Sequence, residues 1–212
     1  MTERSPLVDV VIVNWNGGAL LQRCLEALSA QEGVGREAAV WLVDNGSTDG
    51  SAVRAQGSDP RLRLLQNRTN LGFAAATNQG IRAGSAAFVA LLNNDAAPEP
   101  GWLAALLSAL EADAGAGMAA SLMLSARRPD VVDSAGICAN RAGIFWDRLG
   151  GAPAADPRVA APAEVFGPCA GAALYRRSLF EQVGLLDEDF FCYLEDVDLA
   201  WRARLAGWRA LY

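Results

Sequence analysis

The feature that most constrains the fold is the alternation of apolar runs and helical patterns in the first half of the chain. A β-branched, mostly apolar run over residues 8–13 predicts a strand buried on both faces. Residues 20–31 follow with leucines at helical spacing. The same succession then recurs, with strands predicted over 39–43, 62–65, 88–92 and 118–124 and helices over 73–83 and 102–112.

This alternation indicates an α/β fold in which parallel strands are joined by right-handed crossovers. Ligands of such open sheets bind outside the carboxyl ends of the strands. Three polar clusters follow predicted strands, at residues 14–16, 44–47 and 93–95. Because these ends meet at one edge of the sheet, we expect the clusters to form a binding site there.

The second half is less regular. Residues 127–162 are rich in Gly, Ala, Pro and Asp, which is typical of a flexible or an acceptor-facing segment. Further strands are predicted around 143–146 and over 171–175, and helices over 177–183 and 194–206. Since neither an internal repeat nor a long linker is evident, we expect a single domain over residues 1–212.

Composition removes several classes of chemistry. The chain contains no histidine, and all 18 of its basic residues are arginine. Hydrolases with a His base, Walker-type phosphate loops and Schiff-base enzymes are therefore excluded. A net charge of −6 argues against a nucleic-acid partner. The four cysteines form no CxxC pair, so a reduced, intracellular setting is the simpler interpretation.

Each candidate site residue also has a plain structural explanation. Asp44 can bind a base or ribose, or simply form a turn. Asn93-Asn94-Asp95 supplies hard oxygen ligands for Mg²⁺ or Mn²⁺, or a polar turn. Glu195-Asp196 offers a general base, or compensates a helix dipole. The aromatic side chains of Trp146, Phe190, Phe191 and Tyr193 can stack on sugar rings, although core packing is the favoured interpretation.

Five blocks together resemble the glycosyltransferases of family 2, which have the GT-A fold with a Rossmann-like, mostly parallel central sheet and flanking helices. The resemblance is closest to the bacterial rhamnosyltransferase-like branch and runs from about Val8 to Trp208. The blocks are, in order, VIVNWNG, VDNGSTDGS, NRTNLGFAAATNQGI, LLNNDAAPEPGWL and YLEDVDLAWRARLAGW.

The resemblance implies a nucleotide-sugar donor site. Its residues would be Val13 and Asn14 at the first strand end, Asp44 at the base, and Asn78 near the donor. The reaction implied is sugar transfer with inversion, most simply of L-rhamnose from dTDP-rhamnose or of the sugar of a UDP-sugar. The acceptor implied is a glycan or a lipid-linked sugar of a bacterial cell wall or polysaccharide.

The family's metal motif and catalytic pair map onto two further places. Asp95 and Asn93 would hold Mn²⁺ or Mg²⁺, with Asn94 against the substrate. Asp196 would be the general base, and Glu195 would orient the substrate. Two features depart from the family pattern: the metal motif has only one carboxylate, and the histidine usual after the last strand is absent up to Tyr212.

These departures leave two alternatives open. One is a non-catalytic module of the same fold that binds a nucleotide sugar or a glycan. The other concerns Tyr212, which is either the point where a longer domain is truncated or the natural end of the domain. The resemblance also implies a cytoplasmic protein at the inner face of the plasma membrane, with peripheral membrane association, and it leaves the oligomeric state undetermined.

Overall fold

The strands of the chain are arranged in one large and two small sheets. The computed structural model describes residues 6–212, so residues 1–5 of the expected domain lie outside the described part. In chain order the strands are β1 (Val8–Asn14), β2 (Ala39–Asp44), β3 (Leu62–Gln66), β4 (Phe88–Asn93), β5 (Ala116–Ala120), β6 (Met123–Ser125), β7 (Arg128–Ser134), β8 (Ile137–Ala139), β9 (Phe145–Asp147), β10 (Glu164–Val165), β11 (Ala172–Arg176) and β12 (Arg209–Leu211).

Helices connect most of the strands of the large sheet. They are α1 (Gly18–Ser29), α2 (Ser51–Ala55), α3 (Phe73–Ala83), α4 (Trp102–Ala112), α5 (Arg177–Val183) and α6 (Glu195–Leu205). Short 3₁₀ helices cover Gly33–Arg36, Pro157–Val159 and Glu188–Phe190. No helix in residues 6–212 combines the length and the apolar character that a membrane span requires.

The large sheet has eight strands in the order β10-β12-β5-β11-β4-β1-β2-β3. Strands β4, β1, β2 and β3 are parallel, as the alternation of strands and helices predicts. Strand β11 runs antiparallel between β4 and β5, which the sequence did not indicate. The result is the mostly parallel α/β sheet with flanking helices that was expected.

The sheet separates two hydrophobic clusters because alternate residues of its strands face opposite sides. Val8, Val10 and Ile12 of β1 pack in one cluster with apolar residues of α1 and α4. Val11 packs in the other with α3, α5 and α6. A Cβ atom at Gly80 of α3 would lie 2.4 Å from Val11 Cγ1, so this helix approaches β1 more closely than a side chain would allow.

One strand differs from the sequence-based expectation. The predicted strand over 118–124 is divided between β5 of the large sheet and β6, which pairs with β7 in a separate sheet.

Strand β1 contains one buried charged residue. Within its apolar run, Asp9 is 1% exposed. Its carboxylate accepts hydrogen bonds from Arg177 Nη2 at 2.7 Å and Trp41 Nε1 at 3.0 Å, which compensate for its burial.

Candidate active site

Three strand ends meet at the carboxyl edge of the sheet. The parallel register places Asn14 beside Asp44 and Val13 beside Asn93. The polar clusters expected to converge are therefore neighbours across the ends of β1, β2 and β4.

Asn14 is the centre of this edge and is fully buried. Its amide nitrogen lies 3.1 Å from an Asp44 carboxylate oxygen, 3.1 Å from Ser47 Oγ and 2.9 Å from Ser51 Oγ. Its amide oxygen accepts a hydrogen bond from Asn94 Nδ2 at 3.0 Å. We call these five residues, Asn14, Asp44, Ser47, Ser51 and Asn94, the strand-end network. Since both amide atoms of Asn14 are engaged, the side chain fixes the relative positions of its neighbours.

Gly17 is required by the same network. A Cβ atom there would lie 2.4 Å from Asn14 Oδ1 and 2.6 Å from Asn94 Nδ2. Both distances are far below van der Waals contact. Any side chain at this position would therefore push the two asparagines apart.

Asp44 is 4% exposed, and one of its carboxylate oxygens is held by Asn14. The other oxygen accepts no hydrogen bond from any of residues 6–212. That oxygen is thus available to a ligand at the strand ends. Burial on one side and an available acceptor on the other suit a residue that receives an N–H or O–H group.

Asn45 forms a second centre that the sequence analysis did not identify. Its amide oxygen accepts from Asn67 Nδ2 at 3.1 Å and from Leu71 N at 3.0 Å. Its amide nitrogen donates to Asn70 Oδ1 at 2.8 Å and to the Gly72 carbonyl at 3.0 Å. Asn45 therefore shapes the whole loop before α3. A polar residue directly after a buried strand, followed by an Asn-rich loop, was the available signal.

The backbone N–H groups at the start of α3 are hydrogen-bonded within the protein. The Phe191 carbonyl accepts hydrogen bonds from Phe73 N at 2.5 Å and from Ala74 N at 3.4 Å. Gly72 has a φ of +89°, and a Cβ there would meet Phe191 at 2.7 Å. The close backbone approach that Gly72 permits is thus made by Phe191.

Asn78, expected near the donor, is 1% exposed and bonded within the protein. Its amide nitrogen donates to the Leu186 carbonyl at 2.8 Å and to Glu188 Oε1 at 2.9 Å, and its oxygen accepts from Leu186 N at 3.1 Å. These contacts join α3 to the segment that leads to α6. The structure therefore shows the protein partners of Asn78, and its expected place near the donor stays a prediction.

The Asn-Asn-Asp turn after β4 presents few metal ligands. Asp95 is exposed, and its side chain makes no hydrogen bond with residues 6–212. Asn94 donates to Asn14, so its amide is already oriented towards the strand-end network. No group of three or more His, Cys, Asp or Glu side chains suited to a metal occurs in the described part. A divalent cation here would need oxygen ligands from a substrate.

Residues 169–171 connect this turn with the acidic pair, Glu195 and Asp196. The Gly171 carbonyl accepts a hydrogen bond from Asn93 N at 2.9 Å. One residue earlier, Ala170 N donates to an Asp196 carboxylate oxygen at 3.1 Å. A Cβ at Gly171 would lie 3.2 Å from Asn93 Nδ2. The end of β4 and the start of α6, about a hundred residues apart in sequence, are thus joined through two consecutive residues, Ala170 and Gly171.

Both carboxyl groups of the acidic pair have a pKa above the ordinary value. Burial raises the pKa of Asp196, and the nearby charge of Asp147 raises it further. Burial likewise raises the pKa of Glu195, which is 5% exposed and whose Oε2 has no hydrogen-bond partner in residues 6–212. The hydroxyl of Tyr175 is also buried without a described partner. Buried polar groups are normally bonded, so this region carries an energetic cost that a functional site would explain.

The segment before the acidic pair is strained. Phe191, Tyr193 and Leu194 have φ values of 53°, 73° and 69°, a conformation that residues other than glycine rarely adopt. Tyr193 is 82% exposed and Phe191 54%. Phe190 and Trp146 are also exposed, so core packing was the wrong interpretation for all four aromatic residues.

The sheet order and its flanking helices are those of the GT-A fold, which solved glycosyltransferases share. A mannosyltransferase from Pyrobaculum calidifontis, solved in complex with GDP-Man and Mn²⁺, matches 98% of this chain and 54% of its own, with a TM-score of 0.70 and 23% identity. GalNAc-T7, solved with UDP, GalNAc and Mn²⁺, matches 99% of this chain and 42% of its own, with a TM-score of 0.75 and 16% identity. The chain thus spans about half the length of these structures or less.

The chain belongs to glycosyl transferase family 2, whose model matches residues 9–184. It is 36% identical over 231 residues to an N-acetylglucosaminyl-diphospho-decaprenol L-rhamnosyltransferase from Mycobacterium tuberculosis, over 97% of this chain and 73% of that protein. A succinoglycan biosynthesis protein, ExoO of Rhizobium meliloti, is 35% identical over 55% of this chain and 33% of its own length. The resemblance read from the five sequence blocks is therefore confirmed.

Proposed function

We propose that this chain transfers a sugar, with inversion, from a nucleotide-sugar donor to a hydroxyl of a glycan or lipid-linked acceptor. The observation that carries the proposal is the link through residues 169–171, which joins Asp196 to the end of β4. A proton acceptor and a nucleotide-binding edge are thereby held next to each other. Family membership and the similarity to the rhamnosyltransferase support dTDP-rhamnose as the donor, with UDP-sugars as the second choice.

The donor is held at the strand ends in this proposal. Val13 and Asp44 contact the nucleoside, with the unengaged carboxylate oxygen of Asp44 accepting a hydrogen bond from the base or the ribose. Asn14 and Asn94 keep the edge in shape through the strand-end network. Asn78 contributes by holding the segment before α6 rather than by touching the nucleotide.

Asp95, with Asn93 beside it, would hold a divalent cation, Mn²⁺ or Mg²⁺. Hard oxygen donors fit either ion, and a diphosphate would complete a coordination shell to which the protein gives one carboxylate. When bound, the ion would offset the negative charge that builds up on the leaving diphosphate. The Mn²⁺ in two solved neighbours of the same fold supports this assignment.

Asp196 acts as the general base. It takes the proton of the acceptor hydroxyl while that oxygen attacks the anomeric carbon, on the face opposite the departing nucleoside diphosphate. The bond from the anomeric carbon to the phosphate oxygen breaks as the new glycosidic bond forms, so the configuration inverts. Its raised pKa makes the carboxylate a stronger proton acceptor than an exposed aspartate. Glu195 stays buried beside it and orients the reacting groups.

The acceptor is a lipid-linked N-acetylglucosamine or a similar glycan in this proposal, supported by the name of the mycobacterial relative. Transfer to a lipid-linked sugar places the enzyme at the inner face of the plasma membrane, associated peripherally. The free thiols of all four cysteines suit a reducing compartment.

A donor screen by calorimetry in the presence of Mn²⁺, followed by a transfer assay, tests the proposal. We expect dTDP-rhamnose to bind and its sugar to appear on a short-chain alkyl N-acetylglucosaminyl diphosphate. Binding without any turnover would favour the non-catalytic module. Failure of every nucleotide sugar to bind would refute the proposed transfer and a nucleotide-sugar-binding module, and would leave only a module that binds a glycan.

A further inference from the structure

A cavity of about 440 Å³ lies outside the strand-end edge, among the small strands of the second half. Its walls come from β7, β9 and the turn after β9, and include Arg128, Asp133, Trp146, Asp147 and Gly150. We call it the β7–β9 cavity. Its volume falls within the roughly 300–1,000 Å³ typical of small-ligand sites.

The charged side chains that line this cavity make no hydrogen bond or ion pair with the described residues. Asp133 and Asp147 are exposed, and neither carboxylate takes part in a hydrogen bond or ion pair with residues 6–212. The same holds for the guanidinium of Arg128 within the described range. The indole of Trp146 is 47% exposed. Two acceptors, one strong donor and an aromatic face thus surround one volume.

That combination matches the chemistry of a sugar ring. Each sugar hydroxyl both donates and accepts a hydrogen bond, so a site for it needs carboxylates as well as a donor. The C–H face of the ring is apolar and covers an aromatic side chain. A simple anion would be repelled by two carboxylates, and an apolar ligand would leave them desolvated and unpaired.

The cavity is coupled to the acidic pair by packing. Phe145, adjacent to Trp146 on β9, lies with its ring centroid 5.9 Å from that of Trp201 on α6 and 5.1 Å from that of Phe166. Helix α6 begins with Glu195 and Asp196. Asp147 is also close enough to Asp196 for its charge to raise the pKa of that carboxyl. One wall of the cavity is therefore fixed against the helix that carries the proposed base.

We propose that the β7–β9 cavity is the acceptor subsite, in which a sugar ring lies on Trp146 with its hydroxyls bonded to Asp133, Asp147 and Arg128. This inference rests on the proposed function, because it assigns the acceptor of that reaction to a place. The ring would then present one hydroxyl towards Asp196, across from the donor edge.

The test compares acceptor and donor parameters in matched variants. The probe is a short-chain alkyl N-acetylglucosaminyl diphosphate, with dTDP-rhamnose and Mn²⁺ present. We expect Trp146→Ala to raise the acceptor KM about tenfold and Asp133→Asn severalfold, with donor Kd unchanged. Trp146→Phe, which keeps an aromatic face, restores most of the affinity. Ile144→Ala is the control, since Ile144 is 59% exposed on the same hairpin but outside the cavity.

The result that would overturn the inference is an acceptor KM within twofold of the wild type in both variants, or an equal change in donor Kd. Saturation-transfer NMR of the same probe without donor separates this failure from that of the proposed function. If the wild type binds the probe and Trp146→Ala does not, the subsite stands even where no transfer is detected. If the wild type does not bind the probe, the subsite is refuted even where the donor binds.

Discussion

The two sides of the proposed site are built in opposite ways. In the strand-end network both amide atoms of Asn14 are bonded, and the residues around it sit at the ends of regular strands. On the other side, the acidic pair follows a segment with three non-glycine residues at positive φ and adjoins buried polar atoms without described partners. The first region is thus held by hydrogen bonds between its own side chains, whereas the second combines unusual backbone angles with buried polar atoms that lack a described partner.

This difference suggests a division of work. A nucleotide is recognised by groups that are already held in position, so an edge whose side chains are fixed by hydrogen bonds lowers the ordering cost of binding. A general base is helped by a raised pKa, which burial and the nearby charge of Asp147 give to Asp196. Four variants, each directed at one of the two regions, test this division of work.

The largest effect is expected from Asp196→Asn. Loss of the proton acceptor should reduce the transfer rate by roughly 10²–10⁴-fold. Donor Kd, measured by calorimetry, should stay within about twofold, because the nucleotide binds at the other side. Asp189→Asn is the control, since this exposed carboxylate on the same segment forms no hydrogen bond or ion pair with the described residues. A comparable weakening of donor binding in Asp196→Asn would contradict the division.

Gly17→Ala tests the strand-end network. The added methyl group meets Asn14 and Asn94, and we expect a loss of about 1–3 kcal/mol in the free energy of unfolding, together with weaker donor binding. Gly101→Ala is a matched control, because Gly101 also precedes a helix, has a φ of −90° and has no atom within 4 Å of a built Cβ. Equal stability of the two variants would show that the network is not rigid.

Glu195→Gln should stabilise the protein at neutral pH. The folded-state pKa of Glu195 is raised, so its favourable contribution is full below the unfolded-state value of 4.5 and is lost as the pH rises through the folded value. The neutral amide avoids the cost of a buried charge, and we expect a gain of about 1 kcal/mol at pH 7 that disappears in acid. Exposed Glu181→Gln should show no gain. A lower melting temperature for Glu195→Gln at pH 7 would mean that the charge is compensated.

The smallest effect concerns pH. Transfer requires ionised Asp196, so kcat should fall as the pH drops through its raised pKa. Asp147→Asn removes one of the charges that raise this pKa and should move the acid limb of kcat to lower pH by a few tenths of a unit. The comparison is made at saturating acceptor, so that a change in acceptor KM does not enter. An unchanged limb would show that burial alone sets the pKa.

Three helices could be predicted from the sequence with their full bounds. The spans of α3, α4 and α5 agree with the predicted helices over 73–83, 102–112 and 177–183. The prediction of a single strand over 118–124 was wrong, because hydrophobicity gives no information on which strand will be the pairing partner. β5 and β6 lie in different sheets, and Ser121 between them accepts a hydrogen bond from Trp102 Nε1 at 2.8 Å.

The site was only partly predictable for a related reason. Strand ends converge by topology, so Asn14, Asp44 and Asn93 could be placed together from the alternation alone. The left-handed conformations of Phe191 and Tyr193 carry no sequence signal, because glycine usually marks them. The exposure of those aromatic residues, and the partners of Asn78 in the same region, were consequently not foreseen.

The central claim is that the chemical role of Asp196 in transfer is to remove the proton of the acceptor hydroxyl. Azide is a nucleophile that needs no base, so it tests this claim directly. With dTDP-rhamnose and Mn²⁺, Asp196→Ala should fail to transfer to the sugar acceptor yet form the glycosyl azide of inverted configuration at a rate close to that of the wild type. Loss of azide transfer to the same degree as loss of sugar transfer would contradict the account.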